Sequence, residues 1–332
     1  PTHRRHGIAR ALLEAELRTA NSLGIPVANL TVSEATIYSR YGFAPSAMAA
    51  DLTIDTRRAR WSGPSASGRL HFVSLEQVRD ECRGIYGLAR LQHPGDVALD
   101  GALWEHLIGT IGDSKDAAKH LRAVRYDDAS GEPQGFAIYR VTGGETDFTT
   151  HTVSIRYLCA VTDDAYAGLW RYLLELDLVT TVDAPLRAVD EPVLWQLTDV
   201  RAVRATRSDH LWVRILDVKA ALEARTYSAP GRIVLEIADP LGFANGRVLV
   251  TVDAHGAATV TPATVSPATG DVSDADAALS LTIVDLGALY LGGTSAHTLV
   301  RAGRVTELRP GSADAFDASF RSASAPWLST WF

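Results

Sequence analysis

Arg4-Arg5-His6-Gly7-Ile8-Ala9-Arg10 and, further along, Ser33-Glu34-Ala35-Thr36-Ile37-Tyr38-Ser39-Arg40-Tyr41-Gly42-Phe43 are the two stretches from which the fold can be read. Behind the first, Ile8, Leu12, Ala15 and Leu13, Leu17, Ala20 recur at helical spacing, which predicts a helix from Gly7 to Leu23. Gly24 stands where a helix stops, and Pro26 forbids continuation. The free N–H groups at the start of such a helix, with the positive end of its macrodipole, make a site for an anion. Gly7 lets the backbone approach a phosphate closely, small Ala9 does not obstruct it, and the arginines add charge. Val27 to Val32 then reads as a buried strand. Ser33 is placed to cap a short helix running to Arg40, which Gly42 ends before a strand begins at Phe43.

The rest of the chain reads as two further units. After a loop from Ala59 to Gly68 come a strand (Leu70 to Val73), a helix (Leu75 to Leu91), a hairpin (Leu121 to Tyr126 and Gly135 to Val141) and a strand (His151 to Val161). A helix from Asp163, its expected N-cap, to Leu176 follows, then strands near Leu178 to Val182 and His210 to Ile215. From Asp217 onward a helix (Val218 to Arg225) precedes three alternating strands: Arg232 to Ala238, Gly246 to Asp253 and Ala257 to Pro262. The segments Ala278 to Ile283, Leu286 to Leu291, Ser295 to Ala302 and Ala313 to Phe320 close an α+β unit, and the tail Pro326-Trp327-Leu328-Ser329-Thr330-Trp331-Phe332 is aromatic. Termini are ordinarily polar and frayed, so an aromatic tail is expected to be buried.

Arg4, Gly7 and Ala9 fit the pattern (Arg/Gln)-x-x-Gly-x-(Gly/Ala), and Tyr38, Gly42 and Phe43 fit Tyr-x-x-x-Gly-Phe. At this separation the two resemble the GNAT superfamily of N-acetyltransferases. Ser33 to Gly42 also matches Ser-Glu-x-x-Ile-Tyr-x-Arg-(Phe/Tyr)-Gly of the Eis (enhanced intracellular survival) family, a resemblance that runs to the last residue, Phe332. It implies an α+β chain: tandem GNAT (acyl-CoA N-acyltransferase) folds followed by a sterol carrier protein-like α/β domain. Residues 1–60 would be the C-terminal part of the catalytic GNAT domain, 61–216 a second, degenerate copy, and 217–332 the sterol carrier-like domain. The second copy reads Ala160-Val161-Thr162-Asp163-Asp164-Ala165 at its strand-to-helix junction, with no glycine and two acids where a phosphate would dock. Because the chain opens at Pro1, inside a motif and without methionine, the earlier part of the first domain is expected to lie upstream.

The resemblance implies acetyl-CoA as cosubstrate, with its pyrophosphate on Arg5, His6, Gly7, Ile8, Ala9 and Arg10 beside the motif's Arg4. Ser33 and Glu34 would face its pantetheine or adenosine side. The acceptors implied are aminoglycoside-like or lysine-like amines, protein lysine included, and the assembly implied is a homohexamer. Tyr38 is the candidate general acid for the leaving thiolate, since a phenol titrates near ~10; packing of the short helix is the competing role. No side-chain base stands out, and in the family the terminal α-carboxylate, here that of Phe332, serves as proton acceptor.

Length and composition are consistent with this. A chain of 332 residues is long for one core, and 46% hydrophobic with 21% charged residues is ordinary globular composition. A net charge of −7 argues against nucleic acid. No run is long and apolar enough for a membrane span. Cys82 and Cys159 form no CxxC pair, and the ten histidines form no metal-ligand cluster, so a reducing cytoplasm and no metal are expected, with secretion left open. Two other functions stay open: a lipid-binding protein using the sterol carrier-like unit with a vestigial GNAT part, and a GNAT-derived scaffold.

Overall fold

The computed structural model describes residues 6–112, 119–144, 147–263 and 277–332. Helix α1 (Ile8–Ser22) ends at Leu23, with Gly24 left-handed at φ 73° behind it, and leads to strand β1 (Val27–Thr31). The short α2 (Ala35–Tyr38) and a 3₁₀ turn (Ser39–Tyr41) precede β2 (Ala44–Asp55). The residue at the N-cap of α2 is Glu34 rather than the expected Ser33, and among the described residues no side chain caps that helix. Next come α3 (Thr56–Ala59) and β3 (Arg69–Val73).

The helix expected over Leu75 to Leu91 is two helices, α4 (Leu75–Glu81) and α5 (Arg83–Ala89), followed by a 3₁₀ turn. The break falls at Cys82, which has φ −95° and ψ −4° and whose side chain is fully buried. Ser74 and Gln77 close a reciprocal capping box at the start of α4. Helix α6 (Gly101–Ile108), capped by Asp100, has no counterpart in the sequence reading.

Strands β4 (Leu121–Asp127), β5 (Pro133–Gly143) and β6 (His151–Ala160) lead to α7 (Asp163–Leu174). Its N-cap is Thr162, not Asp163: the Thr162 hydroxyl accepts from the Ala165 N–H at 3.2 Å, which places Asp163 in the first turn. Strands β7 (Val179–Arg187) and β8 (Val203–Ile215) are both longer than their sequence patterns suggest. The C-terminal elements are α8 (Val218–Glu223), β9 (Gly231–Ala238), β10 (Gly246–Val252), β11 (Ala258–Pro262), β12 (Ala277–Thr282), α9 (Ile283–Tyr290), α10 (Ala296–Arg301), β13 (Thr306–Glu307) and α11 (Ser312–Phe320). The apolar stretch around Leu286 is a helix because Thr282 and Asp285 form a capping box that starts one there.

These elements form two compact units, each drawn from separated stretches of chain. The first unit comprises residues 1–48 and 209–326. In it β1 runs antiparallel to the end of β8, from Val27 opposite Ile215 to Thr31 opposite Leu211. A five-stranded sheet follows in the order β11-β10-β9-β12-β13, with β12 parallel to β9 and its other pairs antiparallel.

The second unit comprises residues 49–208 and 327–332. Its strands neighbour one another in the order β2-β7-β6-β5-β4-β3, and only β6 and β7 are parallel. Alternate residues of β4 and β5 supply two cores, as the two-residue side-chain period requires, while in β6 a register shift between Ile155 and Tyr157 sends these two residues into different cores. Tyr126, Tyr139, Val153 and Ile155 pack with Leu169, Trp170 and Leu173 of α7. Phe136, Ile138 and Tyr157 pack with Val78, Ile85, Trp104 and Ile108 of α4, α5 and α6.

The expectation of a buried tail holds in part. Trp327, Leu328, Ser329 and Thr330 are buried, but Trp331 and Phe332 are 55% and 43% exposed.

Candidate functional site

Arg4 and Arg5 lie outside the described residues. His6, Gly7, Ile8, Ala9 and Arg10 are all exposed at the start of α1. Gly7 has φ 74°, a left-handed conformation that glycine adopts without strain. Among the described residues no atom lies within 4 Å of where a Cβ on Gly7 would stand. The helix behind it has no side-chain cap among the described residues, and its first turn contains no acid. An uncapped, uncompensated N-terminus behind a glycine is what an incoming pyrophosphate needs. Arg10 turns the other way along the helix, its Nε 2.7 Å from Glu14, which also holds Arg18 at 2.9 Å. Arg10 beside it holds the Glu14 carboxyl below the usual range. The positive charge of Arg10 is therefore shared with Glu14 instead of being aimed solely at the loop.

Ser33 and Glu34 are exposed after β1, and Glu34 accepts a hydrogen bond from the Thr36 hydroxyl at 3.0 Å. Tyr38 is half-buried, its ring edge-on to Phe43 with centroids 6.2 Å apart. Leu17 of α1, Phe43, Trp212 and Leu216 make the buried centre of one cluster, with Tyr38 and Tyr41 packed at its margin. That cluster ties the helix behind Gly7 to the helix carrying Tyr38, so the two sequence motifs share one packing unit.

Gly42 is required twice over. It sits at φ 89°, and a Cβ there would fall 2.7 Å from the Arg214 guanidinium. Arg214 is wholly buried, paired with Asp239 at 2.7 and 2.9 Å and lying 5.5 Å from the centre of the Phe243 ring. Asp239 also accepts from the backbone of Leu241 and Ala244. Sequence reasoning missed this pair, because an arginine in an alternating strand reads as surface. The signal available was Arg214 between Val213 and Ile215 in an otherwise apolar run.

The equivalent junction in the second unit, β6 into α7, is closed. Thr162 caps the helix, and Asp164 accepts from the Ser67 N–H at 3.0 Å, the Ser67 hydroxyl at 2.9 Å and the Tyr126 hydroxyl. The Tyr126 hydroxyl in turn accepts from the Gly68 N–H at 2.6 Å. The Tyr126 hydroxyl, followed by these other donors, holds the Asp164 carboxyl below its usual range. The acids of that junction are thus occupied in holding down residues 67–68.

Tyr38 belongs to the first unit and Phe332 to the second. Among the described residues no helix is long and apolar enough to cross a membrane, and no cluster of His, Cys, Asp or Glu has metal-binding geometry.

Comparison with known proteins accounts for nearly the whole chain. Residues 1–46 and 95–215 each match an acetyltransferase (GNAT) domain model, and residues 218–329 match a sterol carrier protein domain. An uncharacterized N-acetyltransferase of Streptomyces avermitilis is 37% identical, over 100% of this chain and 78% of its own length. The N-acetyltransferase Eis of Mycobacterium tuberculosis is 36% identical, over 97% of this chain and 76% of its own. The crystal structure of Eis1 from Mycobacterium abscessus superposes with a TM-score of 0.83 at 31% identity, covering 100% of this chain and 80% of that one. A GCN5-related N-acetyltransferase from Anabaena variabilis, at 21% identity, shares the fold with a TM-score of 0.81 over 100% of this chain and 79% of that one.

Proposed function

Since the chain belongs to the Eis family of GNAT N-acetyltransferases, we propose that it transfers acetyl directly from acetyl-CoA to amines of broad range, aminoglycoside-like or lysine-like, protein lysine included. In this reading residues 1–60 are the C-terminal part of the catalytic GNAT domain, 61–216 a degenerate second copy and 217–332 the sterol carrier-like domain. The enzyme works as a homohexamer in the cytoplasm.

The observation that carries the reading is the N-terminus of α1 behind Gly7, which no side chain among the described residues caps, packed through Leu17 onto the helix bearing Tyr38. The N–H groups after Gly7, helped by Arg4, Arg5, His6 and Arg10, bind the pyrophosphate, and Ser33 and Glu34 border the rest of the cosubstrate. Transfer requires two proton movements. One proton leaves the attacking nitrogen as the new C–N bond forms, and one reaches the departing sulfur as the C–S bond breaks. Tyr38 donates the second, as general acid to the departing thiolate. The terminal carboxylate of Phe332 accepts the first.

The test is Tyr38→Phe, which keeps the edge contact with Phe43 and removes only the hydroxyl. Turnover is expected to fall about 10²-fold with acetyl-CoA affinity unchanged, while Tyr41→Phe, in the same cluster, has a far smaller effect. Equal losses in the two variants would remove Tyr38 from the chemistry.

A further inference from the structure

Strands β6 and β7 pair in parallel only from His151 opposite Val179 to Ser154 opposite Asp183. Beyond that point β6 continues on β5 and β7 on β2, so the two part company. At the opening, the Leu158 carbonyl accepts from Arg187 Nη1 at 3.0 Å. On the facing strand the Leu186 carbonyl accepts from the Trp327 indole N–H at 2.6 Å. Leu186 is held at φ 54°, a conformation costly for leucine, with its own N–H on Asp51 at 2.9 Å. Backbone strain of this kind persists only where neighbours enforce it.

The chain's own tail therefore occupies this opening. The Trp327 ring lies 4.9 Å from the Arg187 guanidinium and meets His93 edge-on at 5.2 Å, and the Trp327 N–H donates to the Pro94 carbonyl at 2.9 Å. Two residues on, the Ser329 N–H and hydroxyl reach Asp96 at 3.2 and 3.1 Å, and the Tyr157 hydroxyl lies 3.0 Å from the Ser329 hydroxyl. The seat is itself fixed. Arg187 and Glu191 are a buried pair at 3.0 Å, and Glu191 accepts from Tyr166 at 2.7 Å. Burial pushes the Asp96 carboxyl up, partly offset by the hydrogen bonds it accepts from Ser329.

A tail that only sealed a core would need apolar contact. This one has its buried polar groups matched one by one, which selects a single geometry. From this we infer that the second GNAT-like copy is an intramolecular clamp. It grips Trp327 and Ser329 so that the chain leaves Thr330 from one fixed point, which makes Asp96, Tyr157 and Arg187 positioning residues for the terminal carboxylate. The inference rests on the reading of Phe332 as proton acceptor, and it gives the degenerate copy a task in the reaction.

The experiment uses the full-length enzyme with Trp327→Ala, Ser329→Ala, Asp96→Ala and Asp96→Asn, plus a parent extended by a few C-terminal residues. Each is treated with carboxypeptidase, weighed as intact protein, and assayed for kcat and for KM toward acetyl-CoA. Trimming of the parent is expected to stop at or before Thr330. In Trp327→Ala and Asp96→Ala it should run past position 327, and kcat should fall by about 10²-fold, the scale of a misplacement near 1 Å, with KM unchanged. Ser329→Ala, which loses one hydroxyl and folds, should lie between. Asp96→Asn keeps an acceptor oxygen and should rescue both readouts. Two results would overturn the clamp: a tail as protected in the three disruptive variants as in the parent, or a released tail with undiminished kcat while the extended parent is inactive. A fully active extended parent would instead refute the proton-acceptor reading directly, and the positioning role would fall with it.

Discussion

Two helix starts in this chain, α1 behind Gly7 and α7 behind Thr162, end in opposite states. At the first, glycine stands left-handed with no atom of the described residues within 4 Å of where its Cβ would stand, no side chain among the described residues caps the helix, and the first turn holds no acid. At the second, a threonine caps the helix, two acids fill the first turn, and one of them is bound to Ser67 and Tyr126. A helix N-terminus carries the same dipole in either case. What decides whether it can receive a phosphate is whether its own side chains have already consumed the N–H groups and the positive potential. A junction left unsatisfied costs stability, which is a reason to expect one only where a ligand completes it. The second junction is capped by Thr162, and in the same unit the tail fills the opening between β6 and β7.

The largest effect is expected from breaking the open junction. Gly7→Asp would set a carboxylate beside the pyrophosphate proposed to dock there and forces a side chain into a left-handed position. Like-charge juxtaposition costs several kcal/mol, so coenzyme A affinity should fall by roughly 10²-fold or more in calorimetry. Wild-type affinity in that variant would place the phosphate elsewhere. Far-ultraviolet circular dichroism should stay that of the parent, because the residue is exposed and precedes the helix.

A smaller effect is expected at the closed junction. Asp164→Ala removes the acceptor for Ser67 and Tyr126 and should cost about 1–2 kcal/mol in urea unfolding, while coenzyme A affinity is untouched. The pH dependence has a definite sign. The Asp164 carboxyl sits below its usual range in the folded protein, so its stabilisation is complete above the unfolded value near ~4 and vanishes as pH falls through the folded value. The gap between parent and Asp164→Ala should therefore close in acid. A gap that is constant down to the acid-unfolding limit would mean that the lost stability has nothing to do with the charge.

Much of this contrast was legible in the residues themselves, because both junctions are local. The helix behind Gly7 and its stop at Gly24 follow from spacing and backbone chemistry, and so does the turn at Gly42. The absence of glycine at residues 160–165 already marked the second junction as different. What could not be read are the long-range decisions. Nothing near Arg214 announces Asp239, and nothing near Trp327 announces Arg187 or Leu186, because these partners are distant in sequence and the charges are of types usually found at the surface. Single-residue errors came from close competition. Thr162 and Asp163 are both able caps, and the choice between them rests on where β6 releases the chain. The aromatic character of the tail signals burial correctly for Trp327, but composition does not distinguish Trp327 from the more exposed Trp331 and Phe332.

The smallest predicted effect sharpens the comparison at its mechanistic root. Thr162→Ala removes the hydroxyl that accepts from the Ala165 N–H and should destabilise the protein by about 1 kcal/mol, whereas Thr162→Gly should cost only a few tenths. The asymmetry arises because a bare backbone at the cap admits water to the freed N–H groups, while a methyl group shields them without replacing the acceptor. Neither variant should gain affinity for coenzyme A, since Asp163 and Asp164 still place negative charge in the first turn. The measurement is a pair of urea midpoints at equal m-value, with a parallel calorimetric titration of coenzyme A against the Gly7→Asp background, where the first junction is silent. A binding signal recovered in the double variant Gly7→Asp/Thr162→Ala would show that the cap alone closes the second junction. Its absence would assign that role to the acids, and to Asp164 first, because Asp164 alone of the two is locked to residues 67–68.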